Sequence, residues 1–225
     1  MSEFAFTESP TGPLSLVVQV AFSGSRFLFD EKAHPSVDAA AFYALIQQYL
    51  TDRLRGLPQE LGLDEGDFLC GLSQLAVGAD TLFSRACEAL NIPQRLFLPQ
   101  QREDFLAAVG SDGVPDFTVE QRIAARKLFD SAHVIEERVV SESADRQTRF
   151  QDVNLELLRV SDLVICLLST ARDGKAGGTS ELIEDAEKRG RPLLEIRVDV
   201  GGDGQPQFTE SWHNRSAFAV PQPPD

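Results

Sequence analysis

The sequence predicts an α/β domain: a doubly wound, mainly parallel sheet with helices on both faces. Two observations predict it. Short apolar runs rich in β-branched residues recur along the chain, each closed by glycine or proline. The stretches between them carry apolar residues at helical spacing, so strands alternate with amphipathic helices, which is the pattern of parallel βαβ units.

The elements follow in order. Leu14 to Phe22 reads as a first strand, ended by Ser23-Gly24-Ser25-Arg26, and the mixed stretch to about Asp38, with Pro35, reads as a loop. Phe42, Leu45, Ile46, Tyr49 and Leu50 then mark an amphipathic helix, and Gly56, Pro58, Gly62 and Gly66 a loop after it. Asp67 to Leu72 is a second strand. Gly78-Ala79-Asp80 opens a helix whose apolar face is Leu82, Phe83, Ala86, Cys87 and Leu90, and Arg95 to Leu98 is a third strand stopped by Pro99. In the middle, Val119, Ile123 and Leu128 suggest a helix, His133 to Ile135 a short strand, and Phe150, Val153, Leu157 and Val160 another helix. Asp162 to Leu168 is the strongest buried-strand signal. A glycine-rich loop (Asp173 to Thr179), a helix through Leu182, Ile183 and Ala186, and a last strand from Pro192 to Val198 complete the series. Gly201 to Asp225 is rich in Gly, Pro and Gln and reads as a tail or linker, giving one domain over residues 1–200 and a tail over 201–225.

Composition narrows the function. The 225 residues are 42% hydrophobic and 25% charged, an ordinary soluble globular balance. The 21 basic and 35 acidic residues leave a net charge of −14, which argues against direct binding to a nucleic-acid backbone. A small anionic ligand stays open, because a few backbone N–H groups and one arginine hold a phosphate locally. Cys70, Cys87 and Cys166 have no CxxC spacing and apolar neighbours, so buried, reduced thiols are expected, with no metal. His34, His133 and His213 lie far apart in sequence, outside any Ser-His-Asp order or HExxH, and read as surface or turn residues. Trp212 either packs back on the domain or contacts whatever follows. The N-terminus lacks the basic region and apolar stretch of a signal peptide, and no run approaches the roughly 18 apolar residues of a membrane span. A cytoplasmic protein with no membrane segment in this chain is expected.

In doubly wound sheets, ligands bind beyond the carboxyl ends of the strands. Three post-strand loops therefore carry the interest. In Ser23-Gly24-Ser25-Arg26, glycine permits a tight turn, serine bonds phosphate oxygens and arginine is a bidentate donor; the alternative is a turn with a surface arginine. The second loop runs from Gly71 through Ser73 to Gly78 and Asp80, where Asp80 either caps the helix or meets a ribose hydroxyl. The third, Asp173 to Glu181, places Gly177, Gly178 and Thr179 at a helix N-terminus as a nest of N–H donors suited to an anion. Glu181 is either a capping glutamate or a carboxylate for a ribose hydroxyl. The loop is neither a Walker A sequence nor GxGxxG, and no cofactor is implied.

The ordered set SGSR, GLSQLAVGAD, RLFLP, NLELLRVSDLVICLL and GKAGGTSELIEDAEKRGRPLLEI resembles the SLOG superfamily over Leu14 to Val198. That group of Rossmann-like domains includes the DprA DNA-processing proteins and the Lonely Guy phosphoribohydrolases. The nearer likeness is to its branch in bacterial conflict systems, where such a domain senses nucleotide-derived signals for an effector. The resemblance implies that Gly24, Ser25 and Arg26 line one side of a pocket and that Gly78 and Asp80 line its floor. It further implies that Gly177, Gly178, Thr179 and Glu181 receive a phosphate and sugar, with Arg102 a second phosphate contact. Asn154 is expected to hold the fold. The phosphoribohydrolase branch resembles PGGxGTxxE; here Ala176 stands for its proline, Gly178 runs directly into Thr179, and Leu182 falls three after the threonine.

The leading expectation is thus a binding module for a nucleotide or NAD-derived signalling ligand, without chemistry of its own, controlling an attached or associated effector in bacterial antiviral defence. A C-terminal effector domain and a homo-oligomer are the partners this implies. The alternatives are a nucleoside monophosphate phosphoribohydrolase, with Glu181 as its catalytic carboxylate, and a DprA-like nucleic-acid-handling protein.

Overall fold

The computed structural model describes residues 15–110, 113–169 and 178–218. Seven strands form one sheet in the order β4-β3-β2-β1-β5-β6-β7, with every pair parallel except the last. They are β1 (Val17–Gly24), β2 (Phe68–Ser73), β3 (Gln94–Leu98), β4 (Val134–Val139), β5 (Leu163–Ser169), β6 (Leu193–Val200) and β7 (Pro206–His213). The helices are α1 (Ala39–Leu61), α2 (Ala79–Ala89), α3 (Arg102–Leu106), α4 (Val119–Phe129), α5 (Arg146–Val160) and α6 (Thr179–Lys188). This is the doubly wound α/β architecture that the sequence predicts.

Strand alternation divides the core between the two faces. Val18, Val20 and Phe22 of β1 and Ile165 and Leu167 of β5 pack with α1 and α2; Phe22 stacks on Phe83 at 4.4 Å between centroids. Ala21, Val164, Cys166 and Leu168 point the other way, onto Val153 and Leu157 of α5 and Leu182 and Ala186 of α6. A third cluster joins Leu96 and Leu98 of β3 to Phe105, Phe117, Leu128 and Phe129. Burial on both faces explains why β5 is an unbroken apolar run.

Three differences from the sequence reading have physical causes. Gly56 and Pro58, expected in a loop, lie inside α1. An interior proline costs about 3 kcal/mol, but Leu54, Leu57 and Leu61 continue the stripe begun by Phe42, Ile46 and Leu50, all buried. Each buried leucine contributes roughly 1.5–3 kcal/mol, so three outweigh the proline. The helix then stops at Gly62, whose φ of 71° closes the C-terminus. The helix expected from Val119, Ile123 and Leu128 forms, capped by Thr118 and Gln121, yet it buries Ala125, Leu128 and Phe129 and leaves Val119 and Ile123 exposed. The stretch expected as tail from Gly201 instead returns as β7, antiparallel to β6 over Leu193↔His213 to Val200↔Pro206. Phe208 stacks on Tyr49 of α1 at 3.7 Å, and Trp212 Nε1 donates to Glu60 at 3.0 Å. Trp212 therefore packs back on the domain.

All three cysteines are free and buried. Burial pushes the Cys87 and Cys166 thiols well above their ordinary range and raises Cys70 as well. The native protein at pH 8 is therefore expected to leave Cys87 and Cys166 unmodified by iodoacetamide, all three reacting once urea unfolds it. Mass spectrometry of the labelled chain checks this; rapid native labelling of either residue would contradict the assigned burial.

Candidate functional site

The strand order reverses direction at one place. β2, β3 and β4 extend to one side of β1, and β5, β6 and β7 to the other, so β1 and β5 meet at the switch point, with Gly24 paired to Leu167 at their carboxyl ends. Such a crevice is where this architecture receives ligands.

The post-β1 loop is built into this edge by its neighbours. Ser25 N–H donates to Leu167 O (2.8 Å), Ser169 N–H donates to Ser25 Oγ (3.0 Å), and Ala79 N–H donates to Ser25 O (3.1 Å). A Cβ on Gly24 would lie 2.3 Å from the Ala79 Cβ, and one on Gly78 would lie 2.4 Å from Arg26 O. Those two glycines let the loop and the start of α2 touch, which gives them a packing role at the site's edge. Asp80 is turned into the fold. It is 3% exposed, and its carboxylate accepts from Gly24 N–H (2.9 Å) and from the backbone of Ala76. Desolvation by burial raises its pKa to about 7 against those two lowering bonds.

Across the crevice, α6 begins at Thr179, with Gly178 as its N-cap. Thr179 is buried, and its Oγ1 lies 3.1 Å from Ser23 Oγ, joining the end of β1 to the start of α6. Gln74, after β2, donates to Asn154 Oδ1 (3.3 Å), and Asn154 Nδ2 donates to Gly178 O (3.3 Å). One turn earlier on α5, Gln151 Nε2 donates to Glu181 Oε1 (2.8 Å). Gln74, Gln151 and Ser169 were not read from the sequence, because nothing local in it links them to the glycine-rich loop. Gly177, with the loop from Asp173, lies outside the described residues.

Arg26 reaches Asp116 of the α3–α4 connection, its Nη1 donating to Oδ1 at 2.8 Å, rather than standing free in the loop. Arg102 is not brought to the switch point. It opens α3 and is held by Glu137 of β4 (Nε to Oε2, 2.9 Å) and Asp130 after α4 (2.7 Å), over the Phe129 ring. Those partners make it a tie between α3, α4 and β4.

A cavity of about 270 Å³ opens beside the crevice, between the post-β1 residues Leu28, Phe29 and His34 and the strand ends Ser169, Val198 and Val200. A larger hollow of about 470 Å³ lies at the opposite, amino-terminal edge, lined by Val17, Asp162, Arg191 and Phe218. It holds none of the post-strand loops, so size alone does not mark the site. Among the described residues, no three His, Cys, Asp or Glu side chains group to hold a metal ion. No helix among them is long and apolar enough to cross a membrane.

Strand order and site placement define a Rossmann-like α/β domain with a switch-point crevice. No family model and no curated protein matches the chain. Among solved structures it is similar to DNA processing protein A (DprA) from Streptococcus pneumoniae, at 16% identity and a TM-score of 0.45, over 79% of this chain and 49% of that one. The chain thus spans about half the length of that protein. At this level the likeness says nothing about activity.

Proposed function

We propose that this chain is a binding module for a nucleotide-derived ligand, seated where β1 and β5 meet. The observation that supports this reading most is the joining of three post-strand segments by polar groups at that point. Ser23 meets Thr179, Ser25 meets Ser169, and Gln74 reaches Gly178 through Asn154. The start of α6 gives backbone N–H groups for a phosphate, and the adjoining cavity gives room for a sugar or base. The SLOG resemblance of the sequence supports the same ligand class and, through its conflict-system branch, an effector that the bound state controls in bacterial defence. The net charge of −14 favours a small molecule over a nucleic-acid strand.

Calorimetric titration of the full chain with NAD, ADP-ribose, cyclic ADP-ribose isomers and cyclic oligonucleotides tests the reading. One of these is expected to bind, and Thr179→Val to weaken it about tenfold while the fold persists. The absence of heat and of thermal shift for every member, with the chain folded, would sink it. Release of free base from AMP or CMP, abolished by Glu181→Ala, would instead establish the phosphoribohydrolase.

A further inference from the structure

Asp116 lies in the connection between α3 and α4. Gly110 N–H donates to Val114 O (2.8 Å), and Asp116 N–H donates to Ala108 O (2.9 Å). Phe117, next along, is 2% exposed and meets Phe105 edge-on at 5.4 Å, which fixes the backbone at Asp116. The carboxylate is shared: Arg26 holds Oδ1 at 2.8 Å and Arg146, the first residue of α5, holds Oδ2 at 2.5 Å. One carboxylate between two guanidiniums leaves these three groups with one net positive charge.

The two arginines are held differently. Arg26 also donates to the carbonyls of Asp116 (2.6 Å) and Pro115 (3.3 Å), so backbone alone keeps it in place. Arg146 has only the carboxylate and the Phe150 ring, 5.2 Å away, among the described residues. Both side chains are about two-fifths open to solvent (40% and 42%), whereas that of Asp116 is 9% exposed. Arg26 Nε is a buried donor without a partner among the described residues. Two guanidiniums converging on one carboxylate present the donors that a phosphate would accept from, in the same charge-assisted geometry.

We propose that Arg26 and Arg146 are the phosphate-receiving pair of this site, and that Asp116 is its internal counter-ion, displaced from Arg146 by a phosphate- or diphosphate-bearing ligand. The proposal rests on the switch-point crevice being a nucleotide site. It adds Arg146 and Asp116 to that site, and it makes the backbone bonds of Gly110 and Asp116 the ones that respond to binding.

The test is calorimetric titration of the full chain at low ionic strength with inorganic pyrophosphate and with ADP-ribose, for wild type, Asp116→Asn, Arg146→Gln and the double variant. Asp116→Asn is expected to bind pyrophosphate about tenfold tighter than wild type, and Arg146→Gln to erase that gain in the double variant. Saturating pyrophosphate is expected to speed amide exchange at Gly110 and Asp116. Equal or weaker binding by Asp116→Asn, or a gain that survives Arg146→Gln, overturns the proposal. Should ADP-ribose bind all four chains alike, the crevice reading stands and the arginine pair falls. If neither probe binds any chain, the arginine pair falls, and the crevice reading is decided by the wider ligand series above. Arg146→Gln alone, a change at a half-buried side chain, is expected to weaken ADP-ribose about tenfold; unchanged affinity there overturns the pair even where Asp116→Asn fails to fold.

Discussion

Gly78→Ala is expected to lower the unfolding temperature by about 10 °C and to abolish the ligand binding proposed for the switch point. Gly78 has φ 97° and ψ −128°, a region that only glycine enters readily. Strain of that kind costs about 1–3 kcal/mol. The added Cβ would also fall 2.4 Å from Arg26 O and 2.6 Å from Ser25 O. Both are backbone atoms, so relief requires moving the post-β1 loop away from α2, which breaks the Ala79 N–H to Ser25 O bond. Overpacking of this sort adds about 1–3 kcal/mol. Gly62→Ala is the control: its φ is 71°, but nothing lies within 4 Å of an added Cβ. It is expected to cost only about 1 kcal/mol. Thermal melts of the two variants separate backbone strain from close approach. Equal melting temperatures would show that the loop yields to the methyl group at little cost.

How much of this was legible in the sequence depends on how local each feature is. β5 and α2 are carried by runs and periodicity within a dozen residues, and both form where expected. The C-terminal half of α1 was hidden by Pro58, because the compensating burial of Leu54, Leu57 and Leu61 is a tertiary fact. β7 was hidden by its flanks of Gly, Pro and Gln, although Phe208 and Trp212 sit at strand spacing on one face and meet Tyr49 and Glu60 of α1. At the site, the post-strand loops were legible because the architecture dictates where they fall. Their partners were not. Arg26 and Asp116 are 90 residues apart, and Asp116 and Arg146 are 30 apart, with no motif joining them. The partners of Arg102 were hidden for the same reason: the acids that hold it, Asp130 and Glu137, come from later elements.

The second large effect is a pH dependence centred on Asp80. Its folded pKa is about 7 against an ordinary 3.8, because burial disfavours the anion more than the bonds from Gly24 and Ala76 favour it. Between those two values the folded chain keeps a proton that the unfolded chain has released. Stability from this group is therefore full below about pH 4, falls as pH rises to about 7, and is level above that. Roughly three pKa units correspond to about 4 kcal/mol across the window. Asp145 and Glu156 work in the opposite sense, since bonds from Thr148 and Arg159 lower their pKa values and their contribution is lost as pH falls. The whole-protein profile mixes both, and Asp80→Asn isolates the rising carboxyl. The amide oxygen still accepts from Gly24 N–H but carries no charge at any pH. Urea unfolding of both chains at pH 5 and pH 8 is expected to show wild type losing stability relative to the variant by several kcal/mol at the higher pH. A wild-type minus variant difference that does not change with pH would mean that the Asp80 carboxylate is solvated in the folded protein, and that the bond tying Gly24 to α2 is open to water.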